Sequence, residues 1–146
     1  MRRPTLADAL AAIWTARVLR IARARLRSGE LRAIALQPPR RRALAGRRGV
    51  KAVLWLGRAS CLEGALVRQR FEAGRGVARD VVIGVGRPAE RFGAHAWLDG
   101  ERDGERFGFR ELTRVPLVSE PRAAAAQPPR RRPSGEDVRT RGPAAS

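Results

Sequence analysis

The apolar pattern of this chain changes period once, and the change falls at Gly74-Arg75-Gly76. Before it, Leu6, Leu10, Ile13, Trp14, Val18, Ile21 and Leu26 recur at three- and four-residue steps with arginines on the other face, the spacing of an amphipathic helix. After it come short apolar runs bounded by glycine, led by the β-branched Asp80-Val81-Val82-Ile83-Gly84-Val85, which reads as a central strand. Helices first and strands after point to an α+β fold, with helices packed on one side of a small antiparallel sheet of three or four strands.

Breakers divide the pattern further. Ser28-Gly29 splits the N-terminal stretch, residues 5–36, into two helices, and Gln37-Pro38-Pro39-Arg40-Arg41-Arg42 forms a linker, because paired prolines cannot continue a helix. Residues 50–56 make a short helix that Gly57 ends, and a third helix runs from Cys61 to about Glu72. Strands follow at residues 80–85, 92–98 and 105–112. Beyond Val118 an alanine run, a second Gln-Pro-Pro-Arg-Arg-Arg block and a Gly/Pro/Ser-rich end cannot bury much apolar area. The expected organisation is therefore N-terminal amphipathic helices and a basic linker over 1–42, a folded core over 43–118, and a disordered basic tail over 119–146.

Composition removes several function classes. One cysteine among 146 residues excludes an internal disulfide, and with one histidine it excludes the usual four-ligand zinc sites, so neither metal nor cofactor is expected. No run reaches the length of a membrane span. Met1-Arg2-Arg3 before an apolar stretch suggests a signal sequence, but Asp8 interrupts it and no small-residue cleavage site follows, which favours the cytoplasm. The net charge of +17 invites a nucleic-acid reading. Yet Lys51 is the only lysine, and the chain lacks asparagine and tyrosine while being rich in Ala, Gly, Pro and Arg, the products of GC-rich codons. Nucleic acid is not the expected partner; an acidic peptide or protein is.

The chemistry-bearing residues are the single cysteine and the single histidine. Ser60-Cys61-Leu62-Glu63 is the Ser-x-x-Glu signature of a capped helix start, and a cysteine there feels the positive end of the helix dipole, which favours an anionic sulfur. His95 lies in the strand Phe92-Gly93-Ala94-His95-Ala96-Trp97-Leu98, able to accept that proton and return it. Trp97, two residues on, shares its strand face and is the candidate substrate-binding residue; plain core packing explains it equally well. Gly84-Val85-Gly86 lacks the third glycine and the following helix of a dinucleotide fingerprint.

Helix, strand, strand, strand, with cysteine opening the helix, is the order of papain-like and transglutaminase-like cores. Ser60-Cys61-Leu62-Glu63-Gly64-Ala65-Leu66, Gly76-Val77-Ala78, Val82-Ile83-Gly84-Val85 and Ala94-His95-Ala96-Trp97 resemble, in that order, the transglutaminase-like leader peptidases of lasso-peptide biosynthesis. The likeness covers residues 50–117 and, more loosely, the N-terminal helices. It implies a cysteine protease that removes the leader from a ribosomally made precursor. It further implies a separate leader-recognition protein as partner and an ATP-dependent macrocyclase as recipient of the core peptide. Cys61 would be the nucleophile and His95 the acid and base.

A third residue should orient the imidazole. The resemblance implies an aspartate on the strand after the histidine, whereas no aspartate follows Asp103 until the tail. A hairpin through Arg102-Asp103-Gly104 would set His95 opposite Glu111 and Trp97 opposite Phe109, which makes Glu111 the expected acid. Asp99 takes its place if the turn closes earlier, at Asp99-Gly100. Three rivals stand beside the protease: a catalytically silent transglutaminase-like peptide binder, a basic nucleic-acid-binding protein, and an acyl transferase using the same thioester with an amine as acceptor.

Overall fold

The computed structural model describes residues 3–29, 36–87 and 91–117. In chain order these form α1 (Leu6–Arg27), a 3₁₀ turn (Arg41–Ala43), α2 (Arg47–Leu56), α3 (Cys61–Gly74), β1 (Val81–Gly86), β2 (Gly93–Leu98), the single-turn α4 (Asp103–Arg106) and β3 (Phe109–Val115). The second N-terminal helix and the disordered tail expected from the sequence fall largely outside the described residues. No helix among those described is long and apolar enough to cross a membrane.

Each long helix begins with a reciprocal cap. Thr5 Oγ1 accepts from the Asp8 N–H (3.2 Å) and the Asp8 carboxylate accepts from the Thr5 N–H (3.0 Å), so two donors at the start of α1 are satisfied. Helix α3 ends as the glycine pattern predicts: Gly76 takes φ +84°, its N–H donates to the Ala73 carbonyl, and the Val77 N–H reaches back to Glu72. Helices α1 and α2 cross so closely that a Cβ on Gly49 would overlap the Asp8 carbonyl oxygen, so only glycine fits that contact.

One core joins helices and sheet. Ala11, Val18, Leu19 and Ala22 of α1, Val50 of α2 and Ala65, Leu66, Val67 and Phe71 of α3 pack with Val81, Ala96 and Leu98 of the sheet. Alternation then sends Val82, Gly84, His95 and Trp97 to the second face of the sheet, away from α3. The second face is where the candidate residues must be sought.

The strand order is β2-β1-β3, with β1 antiparallel to both neighbours. The central position of β1 agrees with its β-branched composition. The expected hairpin between the second and third strands does not form. A turn closes at Asp99-Gly100, where the Glu101 N–H donates to the Leu98 carbonyl and Gly100 takes φ +81°. Asp103–Arg106 then winds into α4, and the third strand runs over Phe109–Val115, not 105–112. The reason is topological: β2 and β3 are both antiparallel to β1, hence parallel to each other, and parallel strands need a crossover where a tight turn cannot serve.

Candidate active site

Cys61 is the first residue of α3 and is exposed. Its helix is capped as the sequence predicts: Ser60 Oγ accepts from the Glu63 N–H (3.2 Å), and Glu63 Oε2 accepts from the Ser60 N–H (2.9 Å). The Glu63 carboxylate also receives the Arg23 guanidinium through Nε and Nη2, both at 3.1 Å, and Arg23 Nη2 donates to the Gly57 carbonyl at 2.7 Å. A residue of α1 thereby fixes both the cap and the loop that delivers Cys61. Burial disfavours the Glu63 charge, but the Arg23 and Ser60 hydrogen bonds outweigh it and hold the carboxyl below its ordinary range.

The His95 ring stacks on Trp97 (centroids 5.9 Å apart, planes 18°) and on Phe109 (5.2 Å, 29°). Trp97 is buried in a slot between two glycines: a Cβ at Gly84 would stand 2.5 Å from its Cη2, and a Cβ at Gly104 would stand 2.5 Å from its Cζ2. Crossover helix α4 thus closes over the indole, and neither glycine accepts a larger side chain without displacing it.

His95 and Glu111 both pair with Gly84, from opposite sides of β1. They are two strands apart, about 10 Å between backbones, where the hairpin register would have made them neighbours. The Glu111 carboxylate is engaged by Arg114, with Nε at 2.6 Å and Nη2 at 2.9 Å, and Arg114 also pairs with Asp99 at 3.1 Å. Hydrogen bonding from Arg114 lowers the Glu111 pKa, and the same bond raises that of Arg114. Both acids weighed from the sequence therefore meet on one arginine that the sequence reading did not single out. Its signal was faint: Arg114 lies three residues beyond Glu111, past a bulge in β3 that rotates it back toward the carboxylate.

Trp97, Asp99, Glu111 and Arg114, with Val82 and Phe109 as apolar floor, line a cleft of about 550 Å³ on this second face. The fold therefore gathers His95, Trp97, Glu111 and Asp99 around β1. It does not bring Cys61 to them: α3 packs on the first face, and among the described residues no hydrogen bond joins Cys61 to His95. Nor does any group of three His, Cys, Asp or Glu side chains among the described residues offer a metal site.

Comparison with known proteins gives one match. A family model described as the transglutaminase-like superfamily matches residues 6–106, from the start of α1 through α4. The matched span holds Cys61, His95, Trp97 and Asp99 and ends before Glu111. No curated protein and no solved structure matches the chain.

Proposed function

The chain belongs to the transglutaminase-like superfamily, and from that membership we propose that it is a cysteine peptidase removing the leader from a ribosomally made lasso-peptide precursor. The observation that carries the reading is Cys61, an exposed thiol at the first position of a capped, fourteen-residue helix in a chain of this superfamily. The Cys61 N–H, having no acceptor within the helix, is free to hold an oxyanion.

The chemistry runs through a thioester. The Cys61 thiolate attacks the scissile carbonyl carbon, and the tetrahedral oxyanion rests on the backbone N–H. The C–N bond then breaks as His95, carrying the proton taken from the thiol, gives it to the leaving amine. Water, deprotonated by the same imidazole, attacks the thioester; sulfur leaves and regains its proton, and the carboxylate product departs. Trp97 borders the peptide groove, while Glu111 and Asp99 stay paired with Arg114 on the second face and do not orient the imidazole once it turns toward α3. Catalysis requires the imidazole to leave its stack with Trp97 and Phe109 and turn around the β2 edge toward α3 when precursor is bound. A separate leader-recognition protein presents the precursor in this reading, and an ATP-dependent macrocyclase receives the core peptide.

That same stack favours a second reading, a silent transglutaminase-like protein that binds the precursor without cleaving it. Incubating precursor with wild-type protein and its recognition partner, and weighing the products by mass spectrometry, separates the two. Separate leader and core from wild type, and intact precursor with Cys61→Ala or His95→Ala, support the peptidase. Undiminished cleavage by Cys61→Ala sinks it. An added primary amine that appears on the product identifies acyl transfer in place of hydrolysis.

A further inference from the structure

At the end of α2, one four-residue loop before Cys61, the chain holds two large apolar side chains in solvent. Trp55 is 79 % and Leu56 71 % exposed, although they end an α-helix whose other large apolar residues, Val50, Val53 and Leu54, are buried or half-buried. Adjacent in the chain, the two make one continuous apolar patch where most other exposed apolar residues stand singly. The segment is also fixed. The Gly57 N–H donates to the Val53 carbonyl (2.8 Å), the Arg58 N–H to Trp55 (3.1 Å) and the Ala59 N–H to Leu54 (3.0 Å), while Arg23 holds the Gly57 carbonyl.

These bonds make the end of α2 a Schellman motif in which the left-handed position, φ +47°, is taken by Arg58 where glycine is favoured. Among the described residues Arg58 is the one non-glycine with positive φ. Its guanidinium is exposed, and neither it nor Lys51, one turn before Trp55 on the exposed side of α2, has an ion-pair partner there. A strained backbone position filled by a charged residue three positions before an exposed thiol points to a use for the side chain.

We propose that Trp55, Leu56, Arg58 and Lys51 form a docking surface for an extended substrate segment that pairs an acidic residue with an aliphatic or aromatic one. The apolar pair takes the hydrophobic side chain and the two unpaired cations take the carboxylates, an arrangement set by charge complementarity in a chain of net charge +17. The loop from Gly57 to Ser60 then leads the bound segment toward Cys61. The proposal rests on the peptidase reading for its consequence, but binding is measurable without cleavage.

The test uses the full chain carrying Cys61→Ala and three probes: a short fluorescein-labelled peptide of glutamate and leucine, its lysine–leucine counterpart, and a labelled single-stranded oligonucleotide. Anisotropy should show saturable binding of the Glu/Leu peptide alone, weakened about tenfold by Trp55→Ala and by Arg58→Gly. Arg58→Gly relieves the left-handed strain, so its Tm should rise as its affinity falls, a pairing that a purely structural role does not produce. Equal affinity of both variants and parent for the Glu/Leu peptide overturns the proposal, as does oligonucleotide binding that depends on the same residues. Docking as proposed, with no precursor cleavage by the wild-type chain, would instead count against the peptidase reading alone.

Discussion

The Trp97 indole lies across Gly84, the one residue of β1 that pairs with both His95 and Glu111. The space between histidine and acid on this face is thus taken by tryptophan, which only a glycine beneath it permits. Gly84→Ala would place its Cβ 2.5 Å from Trp97 Cη2 and 2.6 Å from the Arg110 carbonyl oxygen. The indole can shift, but the strand carbonyl cannot without breaking the ladder. We expect a loss of about 1–3 kcal/mol in urea unfolding and a changed Trp97 fluorescence. An unchanged midpoint would show that the slot is looser than its geometry.

Most of the architecture was legible because local chemistry and tertiary packing agree. Ser60-x-x-Glu63 announced the helix that Cys61 opens, Gly76 announced its end, and the β-branched run at Val81 announced the centre of the sheet. The hairpin reading failed because turn-forming residues occur twice, at Asp99-Gly100 and Asp103-Gly104, and local signals cannot say whether the next strand returns beside β2 or crosses to the far edge of β1. The central strand itself held the answer, since a β1 flanked on both sides leaves β2 no pairing with β3. Arg114 and the bulge that turns it are long-range facts of the same kind, invisible without the register.

Gln69 ties α3 to the sheet. Only 1 % exposed, its Nε2 donates to the carbonyls of Arg79 (2.9 Å), just before β1, and Val115 (3.1 Å), the last residue of β3. Leucine in its place keeps the volume and leaves two carbonyl oxygens without their donor. Gln69→Leu should lower stability by about 1–3 kcal/mol, read from thermal melts at matched conditions. A variant as stable as wild type would mean that water reaches both carbonyls.

Thr15 presents the opposite case. It is fully buried inside α1, and among the described residues its Oγ1 has no hydrogen-bond partner. Valine replaces that hydroxyl with a methyl of nearly the same shape, removing an uncompensated polar group. Thr15→Val should therefore stabilise by about 1 kcal/mol in chemical denaturation, and a loss of that size would reveal a partner for the hydroxyl.

The Arg23–Glu63 pair predicts a pH dependence with a definite sign. Burial works against the Glu63 charge, yet the hydrogen bonds from Arg23 and Ser60 prevail and leave its folded pKa below the ordinary value. A depressed carboxyl contributes stability that is fully present above the unfolded pKa, about 4.3, and is lost as pH falls through the lower folded value. Glu63→Gln keeps an oxygen to accept the Ser60 N–H and so preserves the cap while deleting the charge. Wild type should be the more stable near pH 7, with the gap closing as pH falls below the ordinary carboxylate range, when both are unfolded in urea from neutral to acid pH. Adding Arg23→Met should remove most of the gap at neutral pH, because the cation that lowers the carboxyl pKa is then gone. A gap that stays constant with pH in the Arg23 background and in wild type alike would assign the role of Glu63 to capping and none to charge.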